Sequence, residues 1–178
     1  MTIRALHSKA TIKGHPIHPM LVGFPIALYT SGVVSLVVYA IARDVFWYRA
    51  AMTLLFAGVA MAVLSAIFGT IDLFLGVPRK EKATRSTGVI HLGLNVASLV
   101  LFTGAALSLL GESRGDVTPG VAPDDLSFGL PLTIGVIGLL LTGAAGAYGW
   151  KLVQTHHVGI ADEGESAFED ARAPTFRS

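Results

Sequence analysis

The sequence predicts an all-α membrane protein, a bundle of four transmembrane helices running up-down-up-down with both termini in the cytoplasm. Three observations predict it. Of 178 residues, 52% are hydrophobic and only 14% charged, where ordinary soluble domains carry about a quarter of their residues charged. The charges also leave four uncharged runs, Gly14–Ala42, Ala50–Ile71, Ser86–Gly111 and Leu126–Trp150, each 22 to 29 residues long; about 20 apolar residues are enough for a helix to cross the hydrocarbon core. Finally, the cations segregate. Arg4, Lys9, Lys13, Arg79, Lys80, Lys82, Arg85, Lys151, Arg172 and Arg177 fall on one side of such a bundle, and only Arg43, Arg49 and Arg114 on the other. Loops rich in Lys and Arg resist translocation, so the first side is cytoplasmic.

The expected order is a basic cytoplasmic arm (1–13), a transmembrane domain (14–160) with spans near 20–42, 49–76, 86–111 and 128–154, and an acidic disordered tail (161–178). Met20–Ala42 exceeds the roughly 7–15 apolar residues of a cleavable signal and lacks a small-x-small site before Arg43, so it is read as a permanent span. Arg43–Arg49 is a short turn whose Phe46, Trp47 and Tyr48 form an interfacial aromatic belt. Glu112–Ser127, rich in Gly, Pro and Asp, reads as an irregular excursion. The tail has five carboxylates and too little apolar surface to fold alone. No internal repeat is evident.

Span two carries a stripe of small residues, Gly58, Ala62, Ala66 and Thr70, with Ser65 and Gly69 beside it. Span four holds Gly135, Gly138, Gly143, Gly146 and Gly149. Small residues let backbones approach in lipid, where packing replaces the hydrophobic drive; the same glycines can clear space for a cofactor.

All six histidines fall on the cytoplasmic side, His7 in the arm among them. His15 and His18 each precede a proline, which favours extended backbone, and Pro19 suits a first helical position. The reading is two imidazoles on a stiff, non-helical entrance to span one. Pro25 further on removes a backbone donor. His91 lies inside the third apolar run, and Asn95 and Ser98 share its helical face. That stripe serves an interhelical hydrogen bond or a metal or haem ligand with Asn95 and Ser98 behind it. Asp72, near a helix C-terminus, is opposed by the macrodipole and needs a partner: Arg79, a loop lysine or His91, either as a salt bridge or as an outer-shell support for a ligating imidazole. His156 and His157 read as interfacial surface residues.

Taken together, Gly14-His15-Pro16-Ile17-His18-Pro19-Met20-Leu21-Val22, Phe24-Pro25-Ile26-Ala27-Leu28, Gly69-Thr70-Ile71-Asp72, His91 with Asn95, and Val158-Gly159-Ile160 resemble the bacterial membrane family catalogued as domain of unknown function 2231. The resemblance covers roughly residues 14–160. It implies a four-span bundle in the bacterial inner (plasma) membrane and brings no established activity. Redox modules of Rieske or cytochrome type joined to some relatives point toward electron transfer.

Composition excludes some chemistries. Without cysteine there is no disulfide, iron–sulfur cluster, thiolate zinc site or covalently attached haem. A net charge of +1 offers no field for nucleic acid. Hydrolysis and transport find no suitable acid–base pair or charged path. Three readings remain. The first is a b-type haem redox protein with His91 and one of His15 or His18 as axial ligands. The second is a non-haem Fe, Zn or Cu site from His15, His18, His91 and Asp72. The third is a non-catalytic accessory subunit of a larger membrane complex. The expected partners are the lipid bilayer and, for the first and third readings, a redox partner or such a complex.

Overall fold

The computed structural model describes residues 8–13, 15–115 and 126–159. Four helices make up most of it: α1 (Ile17–Ala42), α2 (Val45–Ile71), α3 (Lys82–Gly115) and α4 (Gly129–Gln154). Each is long and apolar enough to cross a membrane. A two-stranded antiparallel hairpin, β1 (Thr11–Ile12) with β2 (His15–Pro16), precedes α1. The acidic tail and the centre of the excursion between α3 and α4 lie outside the described residues.

Local chemistry sets the element ends. Arg43 ends α1 in the left-handed region, φ 54°, with its N–H donated to the Tyr39 carbonyl; that conformation costs a non-glycine residue about 1 kcal/mol, and the Arg43 guanidinium is seated 4.8 Å from the Phe128 ring centroid. Asp44 caps α2 by accepting from the Phe46 N–H at 2.8 Å. The other end of α2 opens into one wider, π-type turn, Asp72–Gly76, closed by the Val77 N–H on the Asp72 carbonyl.

Side-chain contacts tie each helix pair, in α1–α2 near both ends and in α3–α4 along the half that begins α3. Tyr39 of α1 meets Tyr48 of α2 at one end, and His18 meets Ser65 at the other. Ser98 of α3 bonds Gly138 and Thr142 of α4, and His91 bonds Ala145. Apolar side chains such as Val34, Ile41, Ile67, Val100 and Leu140 stay exposed along the outer faces, the surface a bundle presents to lipid.

The interior divides into two halves. Toward Arg43 it is solid: Leu36, Tyr39, Tyr48, Leu55, Phe102 and Leu109 are fully buried, and the Tyr48 hydroxyl donates to the Leu109 carbonyl at 3.0 Å. A stack closes this half. The Tyr29 and Phe102 rings lie 3.7 Å apart and 11° from parallel, with Gly58 of α2 against Tyr29 and Gly138 of α4 against Phe102. Beyond the stack, where the starts of α1 and α3 meet the ends of α2 and α4, the bundle is hollow, with a cavity of about 430 Å³.

The glycines therefore have distinct tasks. A Cβ at Gly58 falls 2.7 Å from the Tyr29 ring, and one at Gly138 falls 2.9 Å from Phe102. Gly143, read from sequence with the rest, meets nothing within 4 Å. Gly58→Ala and Gly138→Ala must displace a stacked ring. Each is expected to lower stability by about 1–3 kcal/mol, read as a lower unfolding midpoint in detergent. Gly104→Ala, in open space, is expected to be neutral or slightly stabilising.

A pair of imidazoles in an apolar cavity

His18 is helical, not part of an extended entrance. α1 begins at Ile17, so Pro19 sits in the first turn, where a missing N–H has no intrahelical acceptor to lose. The Ile17 N–H itself donates to the Ala10 carbonyl at 2.9 Å. From this turn the His18 imidazole reaches α2, with Nδ1 2.9 Å from the Ser65 carbonyl and 3.1 Å from the Ser65 hydroxyl. A carbonyl only accepts, so Nδ1 carries a proton, and in the neutral form of the ring the lone pair is then on Nε2. His91 does the same toward α4: its Nδ1 donates to the Ala145 carbonyl at 2.8 Å. The two rings then face one another across the bundle, centroids 6.3 Å apart and planes at 85°.

Both imidazoles are admitted by a glycine one turn beyond the accepting carbonyl. A Cβ at Gly69 falls 2.9 Å from the His18 ring, and one at Gly149 falls 3.1 Å from His91. The parallel extends along both hairpins. Tyr29 follows His18 by as many residues as Phe102 follows His91, and Gly58 precedes Ser65 by as many as Gly138 precedes Ala145. The pattern His-x10-aromatic on one helix with Gly-x6-small-x3-Gly on the next thus occurs twice. This is the internal repeat that the sequence reading missed. The loops differ in length, so the first helices and the second helices are offset by different amounts, and no single period aligns them.

The cavity between the halves is walled mostly by apolar side chains, among them Val22, Pro25, Ala62, Leu92 and Val96. Its polar groups are few, which is usual for a site taking a largely apolar ligand. Asn95 donates to the His91 carbonyl at 2.8 Å and lies 3.2 Å from His91 Nε2. Ser98, buried, bonds the Gly138 carbonyl and the Thr142 hydroxyl; it joins α3 to α4 and does not touch an imidazole. Tyr29, which sequence reasoning passed over, is 3% exposed, and its hydroxyl has no hydrogen-bond partner.

A family model described as a predicted membrane protein, DUF2231, matches residues 14–162. The chain belongs to this family. No curated protein and no solved structure matches it.

Not every residue singled out in this DUF2231 chain reaches the imidazole pair. His15 is exposed on β2, its Nδ1 3.0 Å from the Lys13 carbonyl. Asp72 lines the cavity, yet its partner is neither a basic side chain nor His91. One carboxylate oxygen accepts from the Ser8 hydroxyl at 2.8 Å, the Lys9 N–H at 2.9 Å and the Ala10 N–H at 3.0 Å. The hairpin's free amides supply what the helix end withholds, and Asp72 thereby fastens the hairpin over this end of the DUF2231 bundle. Among the described residues no three of His, Asp and Glu gather into a metal-ligand group. His156 is half-buried rather than superficial, its two ring nitrogens 3.2 and 3.3 Å from the hydroxyls of Thr84 and Thr87.

Charge-assisted bonds of this kind contribute about 1.5–3 kcal/mol each. In Asp72→Ala, hydrogen exchange at the Lys9 and Ala10 amides is expected to rise by at least about tenfold. Asp72→Asn, which retains an acceptor, should fall between. Unchanged exchange in both variants would show that the hairpin is held by other contacts.

Proposed function

We propose that this protein is a haem b protein of the cytoplasmic membrane that passes electrons, with His18 and His91 as the two axial ligands, four spans running up-down-up-down and both termini in the cytoplasm. The observation that carries the reading is the repeated imidazole pair. Two rings, each fixed through Nδ1–H to a backbone carbonyl, would each offer Nε2 to a metal in the neutral form. With their ring centroids 6.3 Å apart, His18 and His91 would be the residues to hold a haem iron, each through its Nε2. A ligand held by one imidazole from each hairpin suits a chain that builds the same helical frame twice.

Haem supplies a one-electron couple when bound. The protein's own groups do the rest. The Ser65 and Ala145 carbonyls hold each imidazole in one tautomer and raise its basicity. The apolar wall excludes water and lowers the local dielectric, which favours a planar, largely apolar group. Ligation through His91 Nε2 requires Asn95 to release that nitrogen, and its bond to the His91 carbonyl keeps it in place. The closed stack of Tyr29 on Phe102 limits how deep the ligand sits. Ligation by His15 or Asp72 finds no comparable support, because one lies outside the cavity and the other is occupied by the hairpin.

Absorption spectroscopy of protein produced with ample haem is the direct test. A Soret band with the split visible bands of bis-imidazole ligation is expected for the wild type, lost in His18→Ala and in His91→Ala. His15→Ala and Asp72→Asn should retain it. A wild type with no Soret band, or a band indifferent to both alanine variants, removes the proposal.

A further inference from the structure

The segment joining α2 to α3 carries Arg79, Lys80, Lys82 and Arg85 with Glu81 as the one carboxylate among them. No hydrogen bond or ion pair engages any of the four cationic side chains among the described residues; the Arg85 guanidinium carbon lies 5.2 Å from the Phe74 ring centroid. Arg79, Lys80 and Lys82 are exposed. Arg85 is half-buried, and its Nη1 is buried with no acceptor among the described residues. The protein itself encloses that nitrogen, while the remaining guanidinium nitrogens of Arg85 have no hydrogen bond among the described residues and are free to take an anion from outside.

The surroundings indicate what it is. Lys82 and Arg85 lie in the first turn of α3, which contains no acidic residue, so the positive end of the helix dipole adds to the cations rather than opposing them. Phe74 and Leu75, 47% and 69% exposed, lie beside them on the last turn of the α2 span. The α2–α3 junction is itself firm, with Leu73 packed against Gly88. An anion held here meets cations on one side and an exposed apolar surface on the other. A free phosphate has no use for the apolar half, whereas a phospholipid has both parts.

We propose that Arg85, with Arg79, Lys80 and Lys82 around it, binds the headgroup of an anionic phospholipid whose acyl chains lie along Phe74 and Leu75. The Arg85 guanidinium presents a fork of donors to the phosphodiester oxygens, and the three exposed cations add the looser attraction that basic segments beside a span exert on an anionic leaflet. This site is independent of the imidazole pair.

The test uses the full chain reconstituted in phosphatidylcholine with trace spin-labelled phosphatidylglycerol or phosphatidylcholine, the motionally restricted fraction being read by electron paramagnetic resonance. The anionic lipid is expected to be preferred by about fivefold. Arg85→Gln should remove most of this preference, and Arg43→Gln/Arg49→Gln, at the opposite end, should leave it intact. Equal association of the two lipids with the wild type overturns the proposal, as does displacement of the labelled lipid by excess free phosphate, which marks a small-anion site. Should Arg85→Gln fail to fold, Arg79→Gln/Lys80→Gln/Lys82→Gln must lower the preference by at least roughly twofold; no change overturns it equally.

Discussion

The stack of Tyr29 on Phe102 is the contact on which the rest of the bundle depends. It joins α1 to α3, and the glycines behind the two rings bring α2 and α4 to the same point. In lipid, helices gain little from burying apolar surface against one another, and close packing must supply the association. Two rings at van der Waals distance with a glycine against each meet that requirement with four residues from four helices. Every residue at the hollow end takes its position from this plane. His18 and His91 lie equally far from it along their helices, about 16 Å at 1.5 Å per residue, and so reach the same level.

The stack also explains why one half is dense and the other open. Toward Arg43 the interior is filled by Leu36, Tyr39, Tyr48, Leu55 and Leu109, and the turn from α1 to α2 takes only Arg43 and Asp44. Toward the hairpin, small residues, Ala62, Ala66, Gly69 and Gly146 among them, stand in the cavity wall and leave the middle open. A chain selected only for a stable bundle has no reason to leave that volume unfilled, since missing contacts there forfeit dispersion energy. The imidazole pair and the Tyr29 hydroxyl, which has no hydrogen-bond partner among the described residues, are among the polar groups that a ligand of the proposed kind would meet there.

How much of this was legible in the sequence depends on whether the signal was local. The four spans follow from charge-free length, and the stripe of His91, Asn95 and Ser98 from helical period, because both are properties of one segment. His18 was misplaced by a propensity: the residue before proline avoids the helical region on average, but the first turn tolerates it, and the hairpin's Ala10 carbonyl secures the helix start at Ile17. The partner of Asp72 was invisible because it is largely backbone; amides of Lys9 and Ala10 leave no trace in side-chain chemistry. His156 was read as surface because Thr84 and Thr87, its partners, stand some seventy residues away. The repeated pattern was present in the letters but masked by unequal loops.

The repeat is carried by the frame and not by the lining. Four residues after His18 stands Val22, and four after His91 stands Asn95; seven after them stand Pro25 and Ser98; opposite these on the second helices stand Ala62 and Thr142. The α1–α2 side of the cavity is thus apolar where the α3–α4 side is polar. The imidazoles differ accordingly: Asn95 approaches His91 Nε2, while the corresponding nitrogen of His18 makes no hydrogen bond among the described residues. Even the stacked rings differ, since Tyr29 bears a hydroxyl and Phe102 none. On the proposed reading, the two like hairpins would fix where a ligand is held and their unlike linings which way round it lies, because a group with one polar edge gains hydrogen bonds only when that edge faces α3 and α4.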